Sequence, residues 1–321
     1  MISLLHTADW QIGRVFSQFE PDDAAALFEA RFAVVERLAS IATEQSVDAV
    51  LVAGDVFDAQ TVTEKTIRRL FNAMGSFPGA WVLMPGNHDA ALAESVWTHA
   101  RRLGAIPANV IVCLEPKPVV VAGKFTLLPA PLAQRHTYAD LTEWFSTDAS
   151  GDGLPRIGLA HGSVQGILSE DIDSANPIAA GRAQGAGLAY LALGDWHGTK
   201  CVDDRTWYAG TPETDRFKAN DSGQSALQIT RVNMAGLPAT YIRFQILFDM
   251  ACLIAQRMGC TDSAEPECPT IYQANHTCQP IPFKPKAWVG EAAFSGVQIQ
   301  TAVHKKKGPS EEGPRQRLPQ A

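Results

Sequence analysis

Five short apolar runs, each followed at once by polar residues, constrain the fold of this chain more than any other feature of its sequence. They are Ile2–Leu5, Ala49–Ala53, Ala80–Met84, Ile157–Ala160 and Ala189–Leu193. Each run has the length of a strand and lacks the alternation of a strand with one wet face. Continuous apolar runs are typical of strands buried on both faces of a largely parallel sheet. The sequence therefore predicts that these strands form the centre of the molecule.

Helical patterns separate the first three runs. Apolar residues recur at helical spacing over Asp22–Gln45, behind two acidic residues that favour a helix start. Thr61 and Glu64 form a capping-box pattern, which predicts that a second helix begins there. A third helix is predicted over Leu92–Leu103. The order strand, helix, strand, helix, strand indicates an α/β fold.

Later segments carry weaker patterns. Val110–Leu114 and Val119–Leu128 predict a pair of strands of antiparallel character, and Ser225–Val232 predicts a late strand. We therefore place one domain over residues 1–243. The remainder, 244–321, is interpreted as an irregular C-terminal extension.

The extension differs in composition from the rest of the chain. Phe244–Cys260 is compatible with one amphipathic helix, whereas residues 261–321 are rich in Pro, Gln, Lys and Glu and show no period. Such a composition does not bury enough apolar surface to offset the entropy of ordering the chain. We expect 261–321 to be mostly disordered.

Composition and charge exclude several classes of protein. The chain has 321 residues, of which 46% are hydrophobic and 19% charged, and a formal net charge of -7. This balance argues against a broad basic face that grips duplex nucleic acid, but it leaves room for a local phosphate site. The sequence shows neither a signal-peptide pattern nor a membrane-length apolar stretch, so we expect a cytoplasmic protein without membrane contact.

The residues that follow the apolar runs are mostly of metal-ligand types. They are Asp9 and Gln11, Asp55, Asn87 with His88 and Asp89, His161, and Asp195 with His197. Ligands of α/β sheets bind in the crevice outside the carboxyl ends of the strands, where these five loops would converge. Any one of these residues alone is better interpreted as a turn residue, a helix cap or a buried histidine. Their occurrence at five successive strand ends favours a metal centre.

These residues resemble the ordered motifs of a known family. Asp9-x-Gln11, Gly54-Asp55, Gly86-Asn87-His88-Asp89, His161-Gly162 and Gly194-Asp195-x-His197-Gly198 are similar to the motifs of the calcineurin-like metallophosphoesterases. His6–Trp10 and Tyr208–Glu213 look most like the SbcD-type DNA repair exonucleases within that family. The resemblance covers roughly residues 1–243. It implies a four-layer α/β/β/α sandwich.

The resemblance also implies roles for the site residues. One metal ion would be surrounded by Asp9, Gln11, Asp55 and His197. The other would be held by Asp55, Asn87, His161 and Asp195, with Asp55 bridging the two ions. His88 would be catalytic without binding metal. Asp58 or Asp89 would orient its ring, although loop capping explains either residue equally well. Arg14 is expected to be a solvated surface residue, with a phosphate contact as the alternative.

Two divalent ions about 3.5–4 Å apart hold a bridging hydroxide and bind the phosphate oxygens during an in-line displacement. The proposed ligands are rich in oxygen, which suits manganese, or magnesium, better than zinc. Two ligands depart from the family pattern. Gln11 stands where the family usually has His, and Asp195 where the repair nucleases usually have His. The neutral amide of Gln11 predicts a loosely held first ion.

The resemblance favours a metal-dependent phosphodiesterase that acts on DNA as a repair exonuclease, with an SbcC-like ABC-type ATPase as partner. Two other hypotheses remain open at this stage. One is a phosphodiesterase or phosphatase of small phosphate esters or nucleotides, because the same metal centre serves many substrates. The other is a catalytically weak nucleic-acid-binding or assembly subunit, in which Gln11 marks a degraded site.

Overall fold

The computed structural model describes residues 2–148, 153–167 and 175–212, together with the backbone of three later stretches of strand, 225–232, 238–246 and 274–275. The part of the predicted helix that spans 247–260 lies outside the described residues. So does most of the predicted disordered segment 261–321.

Short strands and four helices make up the described chain. The strands are β1 (Ile2–Thr7), β2 (Ala49–Ala53), β3 (Ala80–Met84), β4 (Val110–Val112), β5 (Val119–Val121), β6 (Phe125–Ala130), β7 (Arg156–His161), β8 (Ser163–Val164), β9 (Pro177–Ile178), β10 (Tyr190–Gly194), β11 (Lys200–Cys201), β12 (Thr206–Tyr208), β13 (Ser225–Val232), β14 (Pro238–Ile246) and β15 (Ala274–Asn275). The helices are α1 (Pro21–Glu44), α2 (Glu64–Ala73), α3 (Val96–Arg102) and α4 (Arg182–Gly185), and a 3₁₀ turn spans Glu143–Ser146. All five predicted strands are confirmed.

Two sheets are built from these strands. The order in the first sheet is β15-β14-β13-β1-β2-β3-β4, with β1 to β4 parallel and β13 antiparallel to β1. The order in the second is β11-β12-β10-β7-β6-β5, where β6, β7, β10 and β12 are parallel. Strands β8 and β9 form a small separate pair. The polar residues predicted to form a site follow β1, β2, β3, β7 and β10, all at the carboxyl ends of parallel strands.

The apolar side chains sort into three packed layers between four layers of backbone. In β2, Val50 and Val52 pack under the helices α1 to α3, whereas Leu51 and Ala53 face the second sheet. The second sheet is also buried on both faces. Leu159 faces the first sheet, and Ala160 faces α4 and the 3₁₀ turn. Successive residues of a strand point to opposite faces, so a strand buried on both faces must be apolar at every position. The predicted α/β/β/α sandwich is confirmed.

The second and third helices begin later than the sequence patterns predict. Helix α2 is capped by Thr63 and not by Thr61, because the Thr63 hydroxyl accepts a hydrogen bond from the backbone N–H of Thr66. Helix α3 begins only after Ser95, whose side chain and Thr98 form a reciprocal capping box. A cap that satisfies the free N–H groups of the first turn fixes where a helix begins.

The predicted strand pair at 110–128 is wrong in its pairing. Strand β4 joins the first sheet beside β3, whereas β5 turns back on β6 in the second sheet. The prediction missed the tight turn between β5 and β6, where Ala122 and Gly123 both have positive φ and Lys124 donates to the carbonyl of Val121. The chain therefore crosses from one sheet to the other between Val112 and Val119.

The predictions for the chain beyond residue 224 are confirmed in one strand and corrected in the helix. The late strand is confirmed as β13. Because β14 extends to Ile246, Phe244 lies in a strand, and the predicted helix over Phe244–Cys260 does not begin at its first residue. Among the described residues, no helix combines the length and the apolar character that crossing a membrane requires.

Candidate metal centre

The buried centre of the site is formed by Asp9, Asp55 and His161, which come from three strand ends of two different sheets. Each offers one ligand atom within 4.8 Å of the others, and all three side chains are buried. The sheets meet there directly, since His161 Nδ1 lies 2.8 Å from the carbonyl oxygen of Ala53 at the end of β2. The convergence that the sequence predicted at the carboxyl ends of the strands is thus present in the structure.

The ring of His161 is oriented by that contact. A carbonyl oxygen only accepts hydrogen bonds, so Nδ1 carries a proton and Nε2 is the ring atom that would bind a metal ion, in place of any proton it holds. Around Nε2 lie three oxygens of the predicted second set: Asn87 Oδ1 at 3.2 Å, Asp55 Oδ1 at 3.6 Å and Asp195 Oδ1 at 3.6 Å. One imidazole nitrogen with three oxygens around it is a donor set suited to a divalent ion.

The ligands predicted for the first metal ion are arranged differently. The backbone N–H of Asp195 lies 3.3 Å from both carboxylate oxygens of Asp9, and Gln11 donates its backbone N–H to the carbonyl of Asp55. The side chain of Gln11 lies between two residues. Its Nε2 is 3.5 Å from His197 Nε2, and its Oε1 accepts a hydrogen bond from Arg14 Nη1. Arg14 is partly buried, so its expected role as a solvated surface residue is wrong.

The backbone at four predicted ligands is left-handed. Asp9, Gln11, Asp55 and Asp195 have φ values of 55°, 46°, 51° and 95°. Residues other than glycine adopt this region uncommonly, asparagine and aspartate more often than most, and the cost is about 1–3 kcal/mol for each strained residue. Strain of this kind clusters at functional sites.

Two glycines let the loops approach one another this closely. A Cβ atom on Gly86 would lie 2.2 Å from Asp55 Oδ1, and one on Gly194 would lie 1.9 Å from the carbonyl oxygen of Ala53. Either contact is far inside van der Waals distance. Only a residue without a side chain fits at these positions, so both glycines set the distance between the loops that carry the ligands.

His88 lies at the mouth of the site. Its Nδ1 is 2.8 Å from the carbonyl oxygen of Asp58, which fixes the ring, and its Nε2 is 4.0 Å from Asp55 Oδ2. The side chain is 29% exposed, unlike the buried His161. Asp58 therefore contacts His88 through its backbone, and its carboxylate stands 3.9 Å from Nδ1.

Asp89 is buried and contacts the backbone, not the ring of His88. Its two carboxylate oxygens accept hydrogen bonds from the N–H groups of Gly86 at 2.7 Å and Phe57 at 3.1 Å. Burial, together with the nearby Asp55 carboxylate, raises the pKa of Asp89 to about 7. Of the two interpretations given to Asp89, loop capping agrees with these contacts, because the residue joins the loop after β2 to the loop after β3.

The electrostatics of the centre favour bound cations. Burial raises the pKa of Asp9 to about 6, with the Asp55 and Asp195 carboxylates adding to the effect, and burial also raises the pKa of Asp195. Burial by itself would lower the pKa of His161, but the carboxylates of Asp55, Asp9 and Asp195 outweigh it and raise that pKa to about 9. Carboxylates crowded in a buried place repel one another unless positive charge is added. Divalent ions would supply that charge, so the residues present fit a metal centre.

The model of the calcineurin-like phosphoesterase family matches residues 2–223, which include every proposed ligand. The chain is a calcineurin-like phosphoesterase. The family is dimetal-dependent, and this member is a metal-dependent phosphoesterase with its candidate site at Asp9, Asp55 and His161.

Individual relatives of this phosphoesterase resemble it over shorter stretches or more distantly. The SbcD component of the SbcCD nuclease of Rhodobacter capsulatus is 37% identical over 93 residues, which are 27% of this chain and 22% of the relative. The matched stretch thus spans about a fifth of the curated relative. Among solved structures, the TT1561 protein of Thermus thermophilus is 12% identical with a TM-score of 0.45, over 71% of this chain and 93% of that one. A dimetal phosphatase from Danio rerio is 9% identical with a TM-score of 0.45, over 75% and 95% of the two chains.

Two residues that support the site of this phosphoesterase were not assigned a role from the sequence. The Thr211 hydroxyl donates to the carbonyl of Asp9 at 3.0 Å, and its N–H donates to the carbonyl of His197. The Tyr208 hydroxyl donates to the carbonyl of Gly162 at 2.8 Å and accepts from the N–H of Val164. Both lie in the segment Tyr208–Glu213. The only sequence feature that marked this segment was its likeness to repair exonucleases. The likeness alone did not indicate that the segment fastens the ligand loops.

Proposed function

We propose that this phosphoesterase is a phosphodiesterase that cleaves DNA as an exonuclease, with manganese as its metal, or magnesium in its place. The observation that carries the proposal is the convergence of Asp55, Asn87 and Asp195 oxygens on Nε2 of His161. A part-exposed histidine, His88, stands beside this convergence. A buried site for cations next to an accessible acid or base is an arrangement suited to hydrolysis of phosphate esters.

Each residue has a role in the proposal. Asp55, Asn87, His161 and Asp195 would hold one ion, and Asp9, Asp55 and His197 the other. Gln11, which the sequence predicted as a fourth ligand beside them, has its side-chain oxygen bound to Arg14. When bound, the two ions would supply the positive charge that binds phosphate and activates water. Asp55 would serve both ions. The carbonyl of Asp58 keeps the His88 ring turned so that Nε2 faces the substrate, where it protonates the leaving oxygen.

Residues around the site support a nucleic-acid substrate. Val15, Leu92 and Tyr138 are exposed by 77%, 40% and 94%, and each lies on a loop that follows the carboxyl end of a parallel strand, as the ligands do. Exposed aromatic rings are platforms on which unstacked bases bind. We assign Tyr138 this role, with the other two apolar side chains at the rim.

The loop that carries Tyr138 is fastened to the ligand loops. The preceding residue, Thr137, donates its backbone N–H to Asn176 Oδ1 at 2.8 Å. The carbonyl of Asn176 in turn accepts from the N–H of Ser163, two residues beyond His161. The backbone beside Tyr138 is thus linked through Asn176 to the segment that follows His161.

The name of the Rhodobacter relative describes one component of a two-component nuclease. We propose that this chain likewise works with an ABC-type ATPase of the SbcC kind. The measurement is exonuclease rate on double-stranded DNA with and without the ATPase encoded in the same genome. A rate that does not respond to the ATPase and ATP would contradict the partnership without touching the hydrolase proposal.

The hydrolase itself is tested with the full chain, a metal-free sample and added Mn²⁺ or Mg²⁺. Bis(p-nitrophenyl) phosphate and end-labelled single-stranded and double-stranded DNA are the substrates. Asp55→Asn is expected to abolish turnover of all three, whereas Asp22→Asn, which changes an exposed carboxylate at the start of α1, is expected to leave it unchanged. Turnover that persists in the presence of a chelator would contradict the proposal.

The substrate class is tested by Tyr138→Ala. If DNA is the substrate, this variant loses about 1–3 kcal/mol of single-strand binding per stacked base, yet hydrolyses the small ester at the wild-type rate. Val120→Ala is the matched control, since Val120 is also exposed but lies on β5 and away from the strand ends. Equal DNA cleavage by both variants would favour small phosphate esters or nucleotides as the substrates. Binding of DNA without any cleavage would favour an assembly subunit.

A further inference from the structure

We infer that Gln11 holds Arg14 in position for the substrate phosphate and does not bind a metal ion. The first metal position then has three ligands, and the Arg14 guanidinium supplies positive charge beside it. The inference rests on the proposed function for its substrate. The part of the inference that concerns metal binding by Gln11 does not depend on the substrate.

The orientation of the Gln11 amide is fixed by Arg14. A guanidinium has only donors, so the amide atom that faces it must be the carbonyl oxygen, Oε1. The other end of the same amide, Nε2, then faces Nε2 of His197 at 3.5 Å. An amide NH₂ group has no lone pair to offer a metal ion. In this arrangement the part of Gln11 nearest to the ligand nitrogen of His197 is unable to be a ligand.

The backbone holds the pair together as well. The N–H of Arg14 donates to the carbonyl of Gln11 at 3.2 Å, and Gln11 and Ile12 donate to the carbonyls of Asp55 and Val56 at 2.9 Å each. Gln11 is buried, whereas Arg14 is partly exposed. The guanidinium therefore lies at the boundary between the buried carboxylates and solvent, where a phosphate would arrive.

The chemistry of this position suits an arginine. The guanidinium is always charged and binds phosphate oxygens through two parallel hydrogen bonds. The three carboxylates of Asp9, Asp55 and Asp195 offset most of the charge that two divalent ions would supply, so a guanidinium beside them adds to the positive charge that an incoming phosphate diester meets. A side chain held on both its backbone and its guanidinium loses little freedom when it binds the substrate.

In the first test the metal-free protein is titrated with Mn²⁺. Binding is measured by calorimetry and by electron paramagnetic resonance of the unbound ion. Wild type is expected to bind one ion at least about tenfold more tightly than a second. Gln11→Ala should leave both affinities within about twofold, because a residue that is not a ligand is removed. Arg14→Met should tighten the weaker site, because the amide is then released to turn its oxygen inward. Loss of an ion, or a large loss of affinity, in Gln11→Ala would overturn the inference.

The second test is kinetic, with bis(p-nitrophenyl) phosphate and with inorganic phosphate as inhibitor. Arg14→Met should weaken phosphate inhibition and raise KM by about 10- to 100-fold, as expected for loss of a charged hydrogen bond, and Arg14→Lys should restore part of it. Gln11→Ala should show a smaller change in the same direction. If Gln11 acts through Arg14, the double variant is no worse than Arg14→Met alone. Additive effects of the two changes would contradict the positioning role.

Arg37→Met is the matched control, because Arg37 pairs with Glu44 on the exposed side of α1. The two proposals fail separately. If the wild-type chain hydrolyses no phosphodiester, the proposed function is wrong. Binding of inorganic phosphate to the Mn²⁺-loaded protein, measured by calorimetry, then decides whether Arg14 contacts phosphate: equal affinity for wild type and Arg14→Met would overturn the inference.

Discussion

At the scale of single residues, the two histidines of the site differ in what surrounds them. His161 is buried among carboxylates, whereas His88 is part-exposed and fixed by a carbonyl oxygen. His88→Gln is expected to lower kcat by about 10²- to 10⁴-fold, because glutamine keeps a hydrogen-bonding group but does not exchange a proton at neutral pH. Manganese stoichiometry, measured by calorimetry, should stay at the wild-type value.

The control for this variant is His99→Gln, which changes a histidine on α3. It should behave as wild type in both measurements. If His88→Gln loses bound manganese in proportion to its loss of activity, His88 is a ligand and its catalytic assignment is wrong.

A third histidine is expected to affect stability. His6 is buried in β1, with Nδ1 3.0 Å from the Tyr190 hydroxyl, and burial lowers its pKa to about 3. The unfolded chain binds a proton at His6 below about pH 6.5, while the folded chain does not until about pH 3. Stability is therefore complete above pH 6.5 and falls as the pH drops through this window, by up to about 1.4 kcal/mol per pH unit from His6.

The measurement is urea unfolding of metal-free protein between pH 7.5 and 5. The slope of unfolding free energy against pH should become shallower in His6→Gln and stay unchanged in Tyr190→Phe, which keeps the histidine. Parallel slopes for wild type and His6→Gln would show that this histidine is not a source of acid sensitivity.

At the scale of elements, the loops are held by a few side chains that bind backbone groups. Asp89 uses one carboxylate oxygen for each of two loops. Asp89→Asn leaves a single acceptor oxygen, although each of the two N–H groups needs its own. The change is expected to cost about 1–3 kcal/mol of stability. It should also weaken manganese binding, since Asp55 and Asn87 lie on the loops that separate. The checks are urea unfolding and calorimetric titration.

Asp203→Asn provides the comparison, because Asp203 also accepts a backbone N–H bond, from Arg205, but lies outside the site. One oxygen is enough for that single bond, so Asp203→Asn should leave both stability and manganese affinity unchanged. Manganese affinity that is unchanged in Asp89→Asn would mean that the ligand loops do not depend on this connection.

The strands and the ligand loops could be predicted from the sequence, because a strand buried on both faces leaves an apolar run and its carboxyl end is marked by polar residues. The orientation of Gln11 could not be predicted, since it depends on Arg14 and His197, which lie on different sides of the amide. The separation of β4 from β5 was missed for a similar reason. Both are short edge strands, and their partners are set by packing between sheets and not by local pattern.

At the scale of the whole molecule, the family match and the first sheet end at different places. The match ends at residue 223, yet β1 is paired on one side with β2 and on the other with β13, over Ile2–His6 and Gln228–Val232. A chain ending at residue 223 is expected to lose stability or to aggregate, because it exposes a full edge of the strand that leads to Asp9. A chain ending at residue 246 keeps β13 and β14 and should melt and bind manganese like the full chain.

Thermal unfolding and size-exclusion chromatography of the two shortened chains are the measurements. If the chain ending at residue 223 is as stable as the longer one, the pairing of β1 with β13 is dispensable. A large loss in the chain ending at residue 246 would mean that residues beyond it complete the fold, and that the boundary expected at residue 243 is wrong.

The left-handed backbone at the carboxylate ligands has a consequence for how such a chain can evolve. Glycine adopts this conformation without strain, so an Asp→Gly change at Asp195 relieves backbone cost and removes a charge from a crowded centre at once. Loss of catalysis would then be accompanied by a gain in the stability of the metal-free fold. Lineages that no longer need the chemistry would drift readily towards inactive members, which keep the loops around the former metal centre as a ready surface for new binding.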